Sequence, residues 1–312
     1  MASGMPGPED FDLDVLSRPA RLIVSSQERR LLDPNGEFSE AGAIYQVPFT
    51  REATLPAQPL PIVERDGLPF HPHGIHLVVS GGITLLYVIN HAMHASHSIE
   101  IFELRARDLR FLRRMRSPLL ISPNDILALA DGQFYVTNDH GETGIRQTLE
   151  NLFAFGWSNV VHYRAGYWSV VADKIAFANG LALSDSGDTL YVAGTRDRGL
   201  FKYARNTLTG QLAYSSFINL NSGPDNLMWE KSGLLNVAAH PDVLAFVSHM
   251  RDKQKPSPAD VFRVNVLDGT VTRIYSNDGT QISAASTALV TGGRLFVSQV
   301  FEPAVLSCSA PN

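Results

Sequence analysis

An all-β fold, a six-bladed propeller around a polar channel, is predicted by three regularities of the 312-residue sequence. Six apolar triplets of β type recur along the chain: Leu22-Ile23-Val24, Leu86-Tyr87-Val88, Phe134-Tyr135-Val136, Leu190-Tyr191-Val192, Leu235-Asn236-Val237 and Leu295-Phe296-Val297. Their middle residues lie about 55 residues apart on average, slightly more than the usual length of one four-stranded blade. A polar pair stands upstream of each triplet: Glu9-Asp10, His73-Gly74, Asn124-Asp125, Asn179-Gly180, Asp225-Asn226 and Ser286-Thr287. The offset from pair to triplet is nearly constant, at 13, 13, 10, 11, 10 and 9 residues, which is about one strand plus one hairpin.

Taken in order, the chain opens on a small polar stretch, Met1 to Pro8, expected to be a flexible extension or an expression remnant, ahead of a single propeller domain over 9–312. The first unit runs from Glu9 to the Leu22 triplet. Behind it, Pro56, Pro59, Pro61, Pro69 and Pro72 cannot belong to a central strand and read as a surface excursion. Each of the later five triplets follows a glycine within two to four residues (Gly82, Gly132, Gly187, Gly233, Gly293), as a tight hairpin entering a buried strand requires. After the third triplet, Leu149, Leu152, Phe153 and Trp157 form the apolar stripe of a short helix over 145–157, expected to pack on the rim.

Composition narrows the function. With 26 basic and 31 acidic side chains the net charge is −5, so no basic excess draws the protein to nucleic acid. Apolar residues make up 44% and charged residues 18%, enough for a large core and far from a disordered composition. No apolar run reaches the roughly 18 residues of a membrane span, and Met1 to Pro8 has no signal-peptide core. The single cysteine, Cys308, excludes an intrachain disulfide. As written, the chain is expected in the cytoplasm unless a targeting segment has been removed. There is no G-x-S-x-G elbow, Walker A loop, H-E-x-x-H or G-x-G-x-x-G.

With radially packed blades, the six polar pairs start the innermost strands and meet at one mouth of the channel. Residues just after the triplets, His91, His140, Arg196 and His240, rim the same mouth. The donors offered are carboxylates from Glu9 and Asp225 and amide carbonyls from Asn124, Asn179 and Asn226. Hard oxygen donors in this number suit Ca²⁺ better than zinc. Asp10 and Asp125 point elsewhere by strand alternation and form a second oxygen site deeper in the channel. Zinc is the competitor, because His91, His94 and His97 form H-x-x-H-x-x-H with His71 and His73 nearby. That spacing suits a helix, whereas this stretch leaves a strand as loop with no cysteine pair, so His94 and His97 read as solvated. His73 and His91 differ, since both occupy mouth positions.

The strings Phe70-His71-Pro72-His73-Gly74-Ile75, Val88-Ile89-Asn90-His91, Pro123-Asn124-Asp125-Ile126, Thr137-Asn138-Asp139-His140, Phe177-Ala178-Asn179-Gly180 and Asp225-Asn226 resemble the serum paraoxonase and arylesterase family. Order and spacing agree from Glu9 to Cys308. The resemblance implies a six-bladed propeller with two calcium ions, one catalytic and one structural, that hydrolyses lactones and aryl esters, with organophosphate triesters as a side activity. It places catalytic calcium on Glu9, Asn124, Asn179, Asp225 and Asn226, and structural calcium on Asp10, Asp125 and the backbone carbonyl of Ile75. His73 and His91 match a histidine dyad; Phe177, Thr287, His140 and His240 match positions around the substrate pocket. Vertebrate members tie the chain ends with a disulfide; here Cys308 matches one cysteine and its partner is missing, so ring closure is expected to rest on packing and strand pairing.

The expected chemistry is attack of water on a carbonyl, with His73 as base and His91 orienting it; Asp225 is the alternative base or nucleophile. The expected partners are small lactone or ester substrates. A gluconolactonase-like sugar lactonase and a non-catalytic calcium-stabilised scaffold are the alternatives. The mouth histidines favour a hydrolase of the first kind over both.

Overall fold

A computed structural model describes residues 1–32, 38–51, 53–54, 56–91, 97–141 and 156–311. Six antiparallel sheets follow one another along the chain. Blade 1 is β2–β5 (Pro8–Asp14, Arg21–Ser26, Ala43–Pro48, Gln58–Pro59). Blade 2 is β7–β10 (Pro72–Ser80, Ile83–Asn90, Ser98–Leu104, Leu109–Met115) with β6 (Ile62–Val63) added in parallel at its outer edge. Blade 3 is β11–β14 (Pro123–Ala128, Phe134–Asn138, Ser158–Arg164, Tyr167–Ile175), and blade 4 is β15–β18 (Ala178–Leu183, Thr189–Gly194, Gly199–Arg205, Leu212–Asn219). Blade 5 is β19–β22 (Gly223–Lys231, Leu234–His240, Ala259–Asn265, Val271–Asn277). Blade 6 is β23–β25 (Ala285–Thr291, Arg294–Gln299, Ala304–Ser309) completed by β1 (Ala2–Ser3).

Every polar pair opens an innermost strand and every triplet lies in the second strand of its blade. The triplets show why the sheets pack as a ring. Leu86 and Val88 face blade 1 while Tyr87 faces blade 3; Phe134 and Val136 face blade 2 while Tyr135 faces blade 4. Strand alternation therefore sends each second strand into two cores at once. The result is six apolar clusters, one between each pair of neighbouring blades, in place of one central core. The axis is left to polar side chains. The five hairpin glycines adopt φ of 71–83°, the left-handed region that a tight turn needs. Pro59 and Pro61 lie at the outer edges β5 and β6, where a missing N–H costs least, but Pro72 is not part of a surface excursion: it is buried as the first residue of innermost strand β7.

Two other expectations need revision. Residues 1–8 do not form a loose extension: β1 pairs with β25, Ala2 opposite Val305, and Met5 is fully buried. The N-terminus thus supplies the outer strand of the last blade and closes the ring without a disulfide. The helix expected over 145–157 lies outside the described residues except for Gly156 and Trp157, which are not helical. The one α-helix among the described residues is α1, Val243–Arg251. Asp242 caps it, its carboxylate accepting from the N–H groups of Leu244 (2.9 Å) and Ala245 (3.0 Å). It follows His240 directly, and Phe246 covers the His240 ring at 4.3 Å.

Candidate active site

In all six innermost strands the pairing register slips at the polar pair: after Pro8, Pro72, Pro123, Ala178, Pro224 and Ala285. Such bulges break the two-residue alternation and turn adjacent side chains toward the axis. Hydroxyls of the second strands take the N–H groups that the bulges release: Asp10 N–H donates to Ser25 (3.3 Å), Asp125 N–H to Thr137 (3.0 Å) and Thr287 N–H to Ser298 (2.8 Å). Glycines let the innermost strands approach one another. A Cβ on Gly74 would sit 2.4 Å from the Asn124 carbonyl oxygen, and one on Gly180 2.6 Å from that of Asp225.

The predicted donors come together at the mouth, all buried: Glu9, Asn124, Asn179, Asp225 and Asn226 are between 3% and 6% exposed. Each amide nitrogen is anchored. Asn226 Nδ2 donates to Glu9 Oε1 (3.1 Å) and Thr287 Oγ1 (3.0 Å), Asn179 Nδ2 to Thr195 Oγ1 (3.3 Å), and Asn124 Nδ2 to Asp139 Oδ2 (3.3 Å). Ser286 Oγ donates to Glu9 Oε1 at 2.7 Å. The opposite oxygens, Glu9 Oε2, Asn124 Oδ1, Asn179 Oδ1 and Asn226 Oδ1, are buried without a hydrogen-bond donor. Leaving four buried acceptors unsatisfied costs about 1–3 kcal/mol each. A hard cation offsets that cost, so the residues fit a calcium ion.

Deeper in the channel, Asp10 Oδ2 accepts the Ile75 N–H (2.8 Å) and Asp125 Oδ2 the Leu181 N–H (2.6 Å), each carboxylate stapling the next blade. Ile75 meets Asp10 here through its N–H. Burial pushes Asp10 well above the ordinary carboxylate range, and Asp125 and Glu9 add to it. Burial raises Asp125 likewise, against the two N–H bonds it accepts, with Glu9 and Asp225 adding. Asp225 is raised by burial and partly held down by His240, whose Nε2 lies 2.9 Å from its Oδ2. This concentration of negative charge is a second feature that a cation relieves.

Histidines line the same mouth. His73 Nε2 stands 3.6 Å from Glu9 Oε2, and His73 Nδ1 lies 3.0 Å from His91 Nε2. Burial lowers both below the ordinary imidazole range; for His91 the neighbouring His73 and His97 add to the effect. His140 is held by Asp139 at 2.6 Å and meets the Phe177 ring at 5.3 Å. Phe177 has φ of 64°, a left-handed conformation at the bend into β15. Thr287 is fully buried, its hydroxyl 2.9 Å from Asp10 Oδ1. Arg196 follows β16 at the rim, its N–H donating to the Ala176 carbonyl. His94 lies outside the described residues.

Two residues escape the sequence reading. His97 is not a solvated loop residue: its Nδ1 lies 3.1 Å from His91 Nδ1. Arg29, in the loop after β3, is buried with a guanidinium nitrogen 3.9 Å from Glu9 Oε2 and bonds to the Gln27 and Pro72 carbonyls. Burial lowers its pKa while Glu9 and Asp10 oppose the shift. The H-x-x-H-x-x-H string was a signal for His97; nothing in the sequence marks Arg29.

Comparison with known proteins identifies the family. The arylesterase family profile matches residues 38–309. The chain is 31% identical over 245 residues to mouse "Serum paraoxonase/arylesterase 1", covering 76% of this chain and 68% of that protein. It is 29% identical over 300 residues to human "Serum paraoxonase/lactonase 3", covering 93% and 83%. Among solved structures, a calcium-binding regucalcin from Agrobacterium tumefaciens superposes with a TM-score of 0.56 at 14% identity, over 96% of this chain and 84% of that one, a likeness of fold alone. A profile that spans residues 38–309, and relatives about 30% identical over most of the chain, place this chain in the arylesterase family.

Proposed function

We propose that this protein is a calcium-dependent hydrolase of lactones and aryl esters, with organophosphate triesters as a side activity. The observation that carries the reading is the set of four buried oxygens that accept no hydrogen bond, beside the His73–His91 pair. Glu9, Asn124, Asn179, Asp225 and Asn226 would hold one ion, and Asp10, Asp125 and the Ile75 backbone a second. An ion at the mouth supplies a Lewis acid for the scissile carbonyl and its developing oxyanion.

The chain's own residues then do the following. His73, neutral because burial lowers its pKa, takes a proton from water at Nε2 and returns it to the leaving oxygen. His91 orients His73 through the 3.0 Å bond to Nδ1. Asp225 is already engaged by His240, which leaves His73 the better-placed base. Phe177 and His140 form one wall of the pocket, and Phe246 packs over the His240 ring.

The test is hydrolysis of a small aliphatic lactone, a sugar lactone and phenyl acetate, with and without EGTA, followed by calcium or zinc. Loss on chelation with recovery in calcium alone is the expected result. Turnover of the sugar lactone only would establish a gluconolactonase. An inactive protein that gains thermal stability with calcium would be a scaffold.

A further inference from the structure

We propose that Arg30, His249 and Glu302 form a polar clamp that fixes helix α1 at the channel mouth and so sets the size of ester the pocket admits. The inference rests on the hydrolase reading above. Helix α1 follows β20 directly, and its Phe246 covers the ring of His240, the last residue of that strand, at 4.3 Å. The wall on that side of the mouth is therefore only as well defined as the seat of α1. That seat is not an apolar face. Of the nine residues of α1 only His249, 2% exposed, is buried, while Leu244 and Met250 are 79% and 43% exposed. A helix this short is marginal alone and depends on what anchors it.

His249 supplies the anchor. Its Nδ1 donates to the Lys255 carbonyl (2.7 Å), which closes the turn behind the helix, and its Nε2 lies 2.9 Å from Arg30 Nη2 and 3.0 Å from Glu302 Oε2. Arg30 Nη2 also donates to the His249 carbonyl at 3.2 Å, one of the last four carbonyls of α1, where a cation complements the helix dipole. Arg30 Nη1 donates to Glu302 Oε1 at 3.0 Å, so one planar guanidinium ties the helix to the carboxylate. Phe301, 5% exposed, packs against the clamp: the Arg30 guanidinium lies 4.4 Å over its ring, and the His249 and Phe246 rings stand 5.7 and 6.0 Å away. Arg30 comes from the loop after β3, and Phe301 and Glu302 from the turn between β24 and β25, so the clamp joins α1 to blades 1 and 6. Phe246 rides on the same helix, so releasing the clamp frees Phe246 to leave the His240 ring.

The experiment compares the unmodified full-length protein with Glu302→Ala, Arg30→Met and Glu302→Gln in calcium near neutral pH. Glu302→Ala and Arg30→Met each cut the clamp, the second while keeping an apolar stem over Phe301. Glu302→Gln keeps an oxygen for Arg30 and offers an N–H to His249. One readout is hydrogen exchange of the 243–251 backbone by mass spectrometry; the other is kcat/KM for 2-naphthyl acetate relative to phenyl acetate. Both cutting variants are expected to speed exchange in α1 at least about tenfold, with the blade strands unchanged, and to raise the naphthyl-to-phenyl ratio at least about fivefold. Glu302→Gln is expected to stay within about twofold of the unmodified protein in both readouts. A merely structural role would lower turnover of both esters together and leave their ratio unchanged. Unchanged exchange in α1, or faster exchange with an unchanged ratio, overturns the proposal. If one cutting variant fails to fold by circular dichroism, the other decides. If the unmodified protein hydrolyses neither ester, the hydrolase reading fails, and labelling of His240 by diethyl pyrocarbonate then decides the clamp: labelling at least about tenfold faster in a cutting variant supports it, and equal labelling overturns it.

Discussion

The amide oxygens of Asn124, Asn179 and Asn226 reach the channel unpaired because their nitrogens are tied to Asp139, Thr195, Glu9 and Thr287. An asparagine anchored by its nitrogen presents its carbonyl with little freedom left to lose, which favours cation binding. Asn124→Ala removes one donor and leaves the apo fold with one fewer unsatisfied acceptor. We expect calcium affinity to fall by at least about tenfold, or about 1.4 kcal/mol, with little loss of stability in EGTA; titration calorimetry and urea denaturation check the two halves separately. An unchanged calcium affinity would remove Asn124 from the ligand set. These donors were legible in the sequence because a polar pair recurred at a nearly constant offset from each triplet. His97 was flagged by the histidine spacing but read as solvated, whereas antiparallel pairing of β8 with β9, Asn90 opposite Ser98, sets it against His91.

At the scale of elements, the register slip at each polar pair reconciles strand periodicity with the site. Plain alternation would turn Asp225 and Asn226 to opposite faces, whereas both belong to the mouth in a bulged strand. Close approach of neighbouring strands is the companion requirement. Gly180→Ala would force its Cβ against the Asp225 carbonyl and the Asn226 Cα, at 2.6 and 2.7 Å, so β15 and β19 must separate. We expect a loss of about 1–3 kcal/mol in urea denaturation, together with weakened calcium binding, because Asn179, Asp225 and Asn226 move apart. Helix α1 shows the limit of local reading. Its nine residues, Val243–Arg251, include β-branched and aromatic side chains that suit a strand equally well, and only the Asp242 cap marks its start.

For the whole molecule, closure of the ring falls to β1 pairing with β25. Met5 is fully buried beside that seam, in the cluster shared by blades 6 and 1. Met5→Ala is expected to destabilise by about 2–5 kcal/mol, read as a lower urea midpoint; a midpoint equal to that of the unmodified protein would mean that packing at this seam does not hold the ring. Stability is also tied to pH away from the channel. His162, stacked on Tyr135 and bonded to Gln133, is brought down to about 4 by burial, with Arg205 and Arg164 adding to the shift. Between the ordinary imidazole pKa near 6.5 and about 4, the unfolded chain takes up a proton that the folded chain refuses. Stability should therefore fall as pH drops through that window and be unaffected by this group above it. His162→Gln is expected to reduce the difference in urea midpoint between pH 7 and pH 5; an undiminished difference would assign the acid sensitivity to other groups.

Periodicity by itself determined that this chain is a propeller of six units with an oxygen-rich mouth, because each triplet and each polar pair is read locally, within about one hairpin's length. Tertiary structure alone decided the rest. Ring closure joins Ala2 to Val305, the Arg29 guanidinium reaches Glu9 from a neighbouring loop, and His97 meets His91 only after a chain reversal. Each of these contacts depends on where blades and loops stop in space. A one-dimensional repeat carries no such information, since the bulges that re-aim side chains arise from packing six twisted sheets around one axis.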